Sequence, residues 1–275
     1  MKNILVAAAL FLCSCKVGIS ENVDTLKKAA PADDYRYSLL GLGAKQQKTS
    51  FLSPLFYEGV SLTTAFGTTS TRSSTMTSSC SNEHFDYLYN FSNDSKIVAI
   101  GADYTYSKYY LLPKIGEQGA FSKLFAGWSY RLELETAVKP DNQNNPVYFH
   151  LDNMAGFAFS FKSRVKSVWI FDELMIPIAG LYLGSPYSSS LPYFATEREA
   201  GFFDAFDILF INKAPQLQNT LNVDFKLNFK RYSNTVRVQY VLNMRTLHLN
   251  NNETNSIFHL FRVGYLFNTI PYAHK

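Results

Sequence analysis

The sequence predicts an all-β protein, an antiparallel transmembrane up-and-down β-barrel of about ten to twelve strands. Three observations predict it. Hydrophobicity alternates with a period of two almost from residue 35 to the C-terminus. Several alternating arms run to about 14 residues, against about 5–6 in soluble sheets and about 9–11 needed to cross a bilayer. Acidic and basic side chains share the polar face in mid-strand, as with Arg131 and Glu133, while aromatics crowd the strand ends.

Composition agrees with this reading. The 275 residues are 47% hydrophobic and 16% aromatic, with 18 Tyr and 23 Phe. Charged residues make up 17%, below the ~25% usual for soluble chains. A mean hydropathy of −0.10 argues against a helical membrane protein, and the apolar fraction argues against disorder. Three cysteines exclude a disulfide-stapled scaffold. The net charge of +4 is mild and scattered, so no nucleic-acid partner is expected.

The N-terminus reads as an export signal over residues 1–20. Met1-Lys2-Asn3 is a short basic start, and the apolar run from Ile4 to Cys13 is too short to span a bilayer. Two processing sites compete. Leu12-Cys13-Ser14-Cys15 resembles a lipobox, which would make Cys15 the acylated residue; Gly18 and Ser20 suit a cut after Ser20. A polar segment over 21–34 follows, and the barrel is expected over 35–275. Removal of the signal leaves Cys80, with Cys15 only if it becomes the new N-terminus, so no disulfide pair remains.

The strands follow in order. Residues 36–44 form a weak first candidate, followed by 54–66, 83–91 and 96–110. In 124–135, Leu124, Ala126, Trp128, Tyr130, Leu132 and Leu134 face one way and Arg131, Glu133 and Glu135 the other. In 147–161, Phe149, Leu151, Phe157, Phe159 and Phe161 oppose His150, Asp152 and Ser160. Residues 166–184 and 202–211 come next. The clearest case is 217–230, where Leu221, Val223, Phe225 and Leu227 oppose Asp224, Lys226 and Lys230. It forms a long hairpin with 236–245, where Val236, Val238 and Tyr240 oppose Arg237 and Arg245. Residues 256–268 close the set. A Ser/Thr-rich loop is expected over 68–82, a Pro/Asn-rich one over 139–146, an Asn-rich one over 250–255, and a turn at Ser92-Asn93-Asp94-Ser95.

A soluble β-sandwich also alternates, with its apolar face turned inward. Arm length, aromatic ends and mid-strand charge favour the membrane, where only a closed sheet can span. Outer-membrane lipid and the barrel-insertion machinery are then the expected partners.

Several short stretches resemble an uncharacterised family of exported barrel proteins from anaerobic Gram-negative bacteria, defined as a domain of unknown function. Ser53, Pro54, Tyr57 and Gly59 are similar to its N-terminal signature. Pro177, Gly180, Tyr187 and Ser190 resemble a central Pro/Gly block ending in a Tyr-rich stretch. Arg237, Tyr240, His259 and Gly264 resemble its C-terminal strand pair. The sequence departs at 184–191, where Ser185 and Ser188 stand in place of Pro and Gly. The resemblance implies fold and outer-membrane location; no activity, cofactor or ligand comes with it.

The candidate site is the lumen. Arg131, Lys162, Arg164, Lys226, Lys230, Arg237, Arg245 and Arg262 are partly matched there by Glu133, Glu135, Asp152 and Asp224. Eight strands give a barrel that side chains fill, and open porins use about 16 or more, so a barrel of this size is read first as plugged by ion pairs. The expected function is a structural or binding barrel. A narrow, mildly anion-selective pore or transporter for polar solutes is the alternative, and an outer-membrane lipid hydrolase a third. His150 and Asp152 share one face and would form half of a hydrolytic triad, but Ser160 lies roughly 33 Å along the strand. His259 is expected at a membrane interface, and His84, His248 and His274 near strand ends without ligand spacing. No catalytic residue, metal or cofactor is expected.

Overall fold

The computed structural model describes residues 33–49, 52–112, 122–141, 147–165, 167–184, 206–229, 232–249 and 252–268. The signal, Cys15, Tyr187, Ser190, Lys230 and His274 lie outside them. The described residues form strands joined by turns, with no helix among them. The strands are β1 (Asp33–Thr49), β2 (Ser53–Thr71), β3 (Thr75–Asn90), β4 (Ser95–Leu111), β5 (Ser122–Val138) and β6 (Val147–Val165). They continue as β7 (Val168–Gly184), β8 (Phe206–Phe210), β9 (Gln216–Phe229), β10 (Tyr232–Leu249) and β11 (Asn252–Asn268).

Neighbouring staves pair antiparallel, β11 pairs with β1, and β6 pairs with β7, so the sheet closes on itself. Eleven strands make ten staves, because β8 and β9 share one. β8 pairs with Ala179–Leu183 of β7, and β9 pairs with Val168–Met175 of the same strand. Between them residues 211–215 form a turn tied to both neighbours. Ile211 N–H donates to Ile178, while Pro215 and Lys213 carbonyls accept from Thr246 and His248 of β10.

Cross-strand partners fix the geometry of closure. From Leu42 they lead one way round through Leu62, Phe85, Ile100 and Thr136 to Phe149. The other way they lead through Phe261, Tyr240, Leu221 and Asp172 to Phe161 on the same strand, β6. Those end points stand roughly twelve residues apart, which is the slip of register in one circuit. With strands ~4.8 Å apart and ~3.3 Å per residue, that shear tilts the staves roughly 40° and gives a barrel roughly 20 Å across. The level of Leu42 on the far wall is therefore Ala155, midway between the two end points.

The wall sorts side chains by chemistry. Leu42 and Val60 are each 66% exposed on the outside, whereas Ser61 and Thr63 are each 1% exposed on the inside. Trp128 also points outward, at 44%. On β1 the outer face carries Leu40, Leu42 and Ala44 at its centre, flanked by Ser38 and Gln46 and bounded by Arg36 and Lys48, two charges that stand roughly 30 Å apart in height at this tilt, against a hydrocarbon core of about 25–30 Å. Tyr87, Tyr104, Tyr110, Tyr265 and Phe267 are exposed on the same outer surface.

Three stretches bear on the expectations, and one of them is corrected. The Ser/Thr-rich stretch 68–82 is not a loop: β2 runs through Thr71 and β3 begins at Thr75. Its hydroxyls alternate faces like any strand residues and pair across the sheet, Thr68 with Ser79 at 2.8 Å. Of the strand expected over 166–184, Val168–Gly184 is β7, whose inward parity changes once. Register shifts between Ala155 and Gly156 of β6, which face Ala179 and Pro177, so Ile178 is bulged. Phe171, Glu173 and Met175 precede that bulge on the inside, and Gly180 and Tyr182 lie beyond it. Proline has no N–H to offer the ladder, which suits a position at a bulge. The Asn-Asp turn is as expected, with Asp94 in the left-handed region at φ 56°.

Candidate functional site: a filled lumen

The inward faces stack in three zones. At the end carrying the β1–β2 and β3–β4 turns, Tyr57, Leu88, Ile97, Ala99, Ala137 and Tyr148 form one apolar cluster, and Met154, Tyr182, Leu209, Ala214, Leu247 and Leu249 another. The Tyr148 and Tyr182 hydroxyls share a hydrogen bond of 2.9 Å between them. At the opposite end Met76, Tyr109, Phe125, Ala158, Phe171 and Met175 pack together, and Tyr37, Leu39, Ala65 and Leu266 beside them. Charged residues fill the middle.

Two charge clusters meet at β5. Lys45 Nζ lies 2.7 Å from Asp86 Oδ2 and 2.7 Å from Glu135 Oε2. His84 Nε2 stands 3.5 Å from each of those carboxylates, and the Ser61 hydroxyl donates to Asp86. Two residues along β5, Glu133 lies 2.9 Å from Arg131 and 3.5 Å from Arg245. Arg245 also binds Asp152 and approaches His150 Nε2 at 3.2 Å. His150 is 3.9 Å from Glu133 and 3.8 Å from Asp152. All of these side chains are buried.

Further pairs extend the network along the wall. Arg237 grips Asp224 with Nε at 2.7 Å and Nη2 at 2.8 Å, and stacks over the Tyr37 ring at 4.7 Å. Arg262 donates to Thr63, Asn82 and Gln239. Tyr109 donates to Glu173 at 2.7 Å. Glycine makes room where rings cross the wall: a Cβ at Gly101 would lie 2.4 Å from the His84 ring, and one at Gly67 2.3 Å from Tyr37.

The candidates from sequence therefore divide. Arg131, Glu133, Glu135, His150, Asp152, Asp224, Arg237, Arg245 and Arg262 point inward and are buried. Lys162 is half-buried near one end, over the Trp169 ring at 5.1 Å. Lys226 and Arg164 are exposed at that rim. Sequence reading missed Lys45, His84, Asp86, Asp103 and Glu173. His84 is not at a strand end but in the lumen, and His-x-Asp spacing on β3, repeated at His150-x-Asp152 on β6, was the signal available. His259 is not at an interface: its cross-strand partners Ala44 and Leu242 place it near the level of Leu42, facing out and bonded to the Tyr240 hydroxyl at 2.8 Å.

Two groups have a donor set that a metal could use: His84, Asp86 and Glu135, and Glu133, His150 and Asp152. Each already surrounds a side-chain cation, Lys45 in the first and Arg245 in the second. That leaves neither triad in need of an ion. Of the residues resembling family motifs, Tyr57 is a buried lumenal side chain, and Ser53, next to Pro54 in the chain, is also buried. Gly59, Gly180 and Gly264 all abut neighbouring backbone, where a Cβ would approach a carbonyl oxygen to 1.9, 1.8 and 1.9 Å respectively.

Closure, shear and a greasy exterior around a charge-paired interior define a β-barrel of the outer-membrane type. The chain belongs to the family described as "Protein of unknown function (DUF3316)", whose profile matches residues 7–274. That match carries no information on an anaerobic source. Among curated proteins no match emerges. Solved structures with similar shape include the outer membrane protease OmpT from Escherichia coli, at 8% identity and TM-score 0.47, covering 89% of this chain and 99% of that one. The translocator domain of autotransporter NalP from Neisseria meningitidis reaches 10% and 0.42, covering 97% and 98%. An outer membrane channel from Pseudomonas putida F1 reaches 9% and 0.32, covering 90% and 100%. Such distant likeness says nothing about activity.

Proposed function

We propose that the protein is an outer-membrane barrel that works as a closed structural or binding scaffold, held by lipid on its outer wall. Export by its N-terminal signal and assembly by the barrel-insertion machinery are part of this reading. The observation that carries it is the packing of the lumen. Apolar clusters line both ends, paired charges fill the middle, and two cavities among the described lumenal residues measure about 40 and about 30 Å³. At ~10–15 Å³ per water, that is room for about two or three waters in each and for no solute.

The pore reading is weaker for two reasons. Apolar side chains crowd both ends of the lumen, and the acids Asp86, Asp103 and Glu173 join Glu133, Glu135, Asp152 and Asp224 to match the bases, removing the basis for anion selectivity. A hydrolase reading finds no support at His150, whose ring is engaged by Arg245 and packed between Tyr148 and Tyr182. Ser160 is buried on the inner face toward the far end of the same strand. Planar-bilayer recording of the purified protein tests the proposal. A flat trace at all voltages is expected; stable conductance steps would replace the scaffold with a pore.

A further inference from the structure

Outward side chains at lipid depth are apolar around most of the wall; His259 and Asn153 depart from this singly, His259 bonded to the Tyr240 hydroxyl, and β2 and β3 depart from it as a continuous patch. Glu83 projects from the outer face of β3, opposite Thr64 on β2 and Ala102 on β4. The cross-strand line from Leu42 meets β3 at Phe85. Tilt lowers true level by about one residue per stave, so Glu83 stands at the height of Leu42, in the middle of the greasy belt. Its side chain is exposed. It accepts a hydrogen bond from Thr64 Oγ1 at 3.2 Å, and among the described residues no cation pairs with it. Ser81, Ser79 and Thr68 continue the polar patch toward one rim. Asp172, another outward carboxylate within the belt, is by contrast buried and accepts a hydrogen bond from Asn219 at 2.8 Å.

A carboxyl group facing acyl chains is costly, and an ionisable residue kept at that depth points to a partner. We infer that the outer face of β2 and β3 is covered in the membrane by the same face of a second copy of the chain. The two-fold axis runs along the barrel wall between β2 and β3. Rotation about it sets β2 of one protomer against β3 of the other at equal height. Glu83 then meets the partner's Thr64 where the axis, which stands along the membrane normal, crosses the wall; the strand tilt carries Thr68 and Ser79 to either side of it. Hydroxyls both donate and accept while a carboxyl mainly accepts, so the patch complements itself under this symmetry. The two Glu83 side chains lie on opposite sides of the axis and do not abut.

The test counts protomers in a bilayer. The mature chain, carrying one fluorophore at its C-terminus, is reconstituted in phosphatidylcholine vesicles over a range of dilutions and read by single-molecule photobleaching. Wild type and Glu83→Gln, which keeps hydrogen-bonding capacity, should bleach in two steps. Glu83→Leu should shift the equilibrium toward single steps by at least about tenfold, while keeping the heat-dependent gel shift of a closed barrel. One-step bleaching of wild type at all dilutions overturns the inference whatever the variants do. So does two-step bleaching by folded Glu83→Leu. Cross-linking of this face to a different membrane protein in native envelopes, with wild type monomeric in vesicles, assigns the patch to that partner and also overturns it.

Discussion

Arg237 and Asp224 show what a lumenal charge does for this protein. The pair is bidentate, buried and pinned against Tyr37. Removing one member leaves the other uncompensated, a loss of about 3–5 kcal/mol, whereas replacing both with apolar residues of similar volume can cost little. Arg237→Met is therefore expected to lower the midpoint of denaturant unfolding markedly, and Arg237→Met with Asp224→Leu to recover most of it. Urea titration in detergent, followed by the unboiled gel shift, reads both. Equal loss in the single and double variants would show that the pair does more than neutralise itself. The inward direction of Arg237, Asp224, Glu133 and Arg245 was legible in sequence because each lies in an unbroken alternation. Lys45 and Asp86 were not. Gly41 and Gly43 precede Lys45 on the inner face of β1 and give no polar signal, and Asp86 is flanked by aromatics that read equally well as either face.

The strands themselves were legible in number and order, and their breaks were not. Period-two pattern marks a strand so long as faces keep their parity. The bulge at Ile178 changes parity within β7, and the turn at 211–215 divides one stave into β8 and β9. Ser/Thr-rich β3 is the converse case: hydroxyls on both faces erase the contrast that alternation needs, so 68–82 looked like a loop. The bulge sets the facing of every residue beyond it on β7. Inserting one residue between Ala179 and Gly180 would reverse the facing of Gly180–Gly184, turning Tyr182 out of the lumen and Leu181 in, whereas deleting Ile178 straightens the strand and keeps both facings. The insertion is expected to lose the heat-dependent gel shift and the protease resistance of a folded barrel. An insertion with unchanged gel shift and unchanged thermal midpoint would mean that the facing beyond the bulge is incidental.

The whole molecule is an inverted solution of the usual packing problem, with apolar surface outside and a charge-paired interior. Its ten staves and twelve-residue shear set a diameter that long side chains from opposite walls can bridge, and this is why the lumen is filled. Lipid contact, self-association and a closed lumen all depend on which side of the wall each face meets. The measurement that addresses this most directly is spin-label power saturation along β2 in vesicles, with single cysteines from Val60 to Thr64 in a Cys80→Ser background. Labels at Val60 and Leu62 are expected to be accessible to membrane-dissolved oxygen and shielded from aqueous nickel chelate, with Ser61 and Thr63 shielded from both. The reverse alternation, or accessibility to the nickel chelate at Val60 and Leu62, would contradict the account.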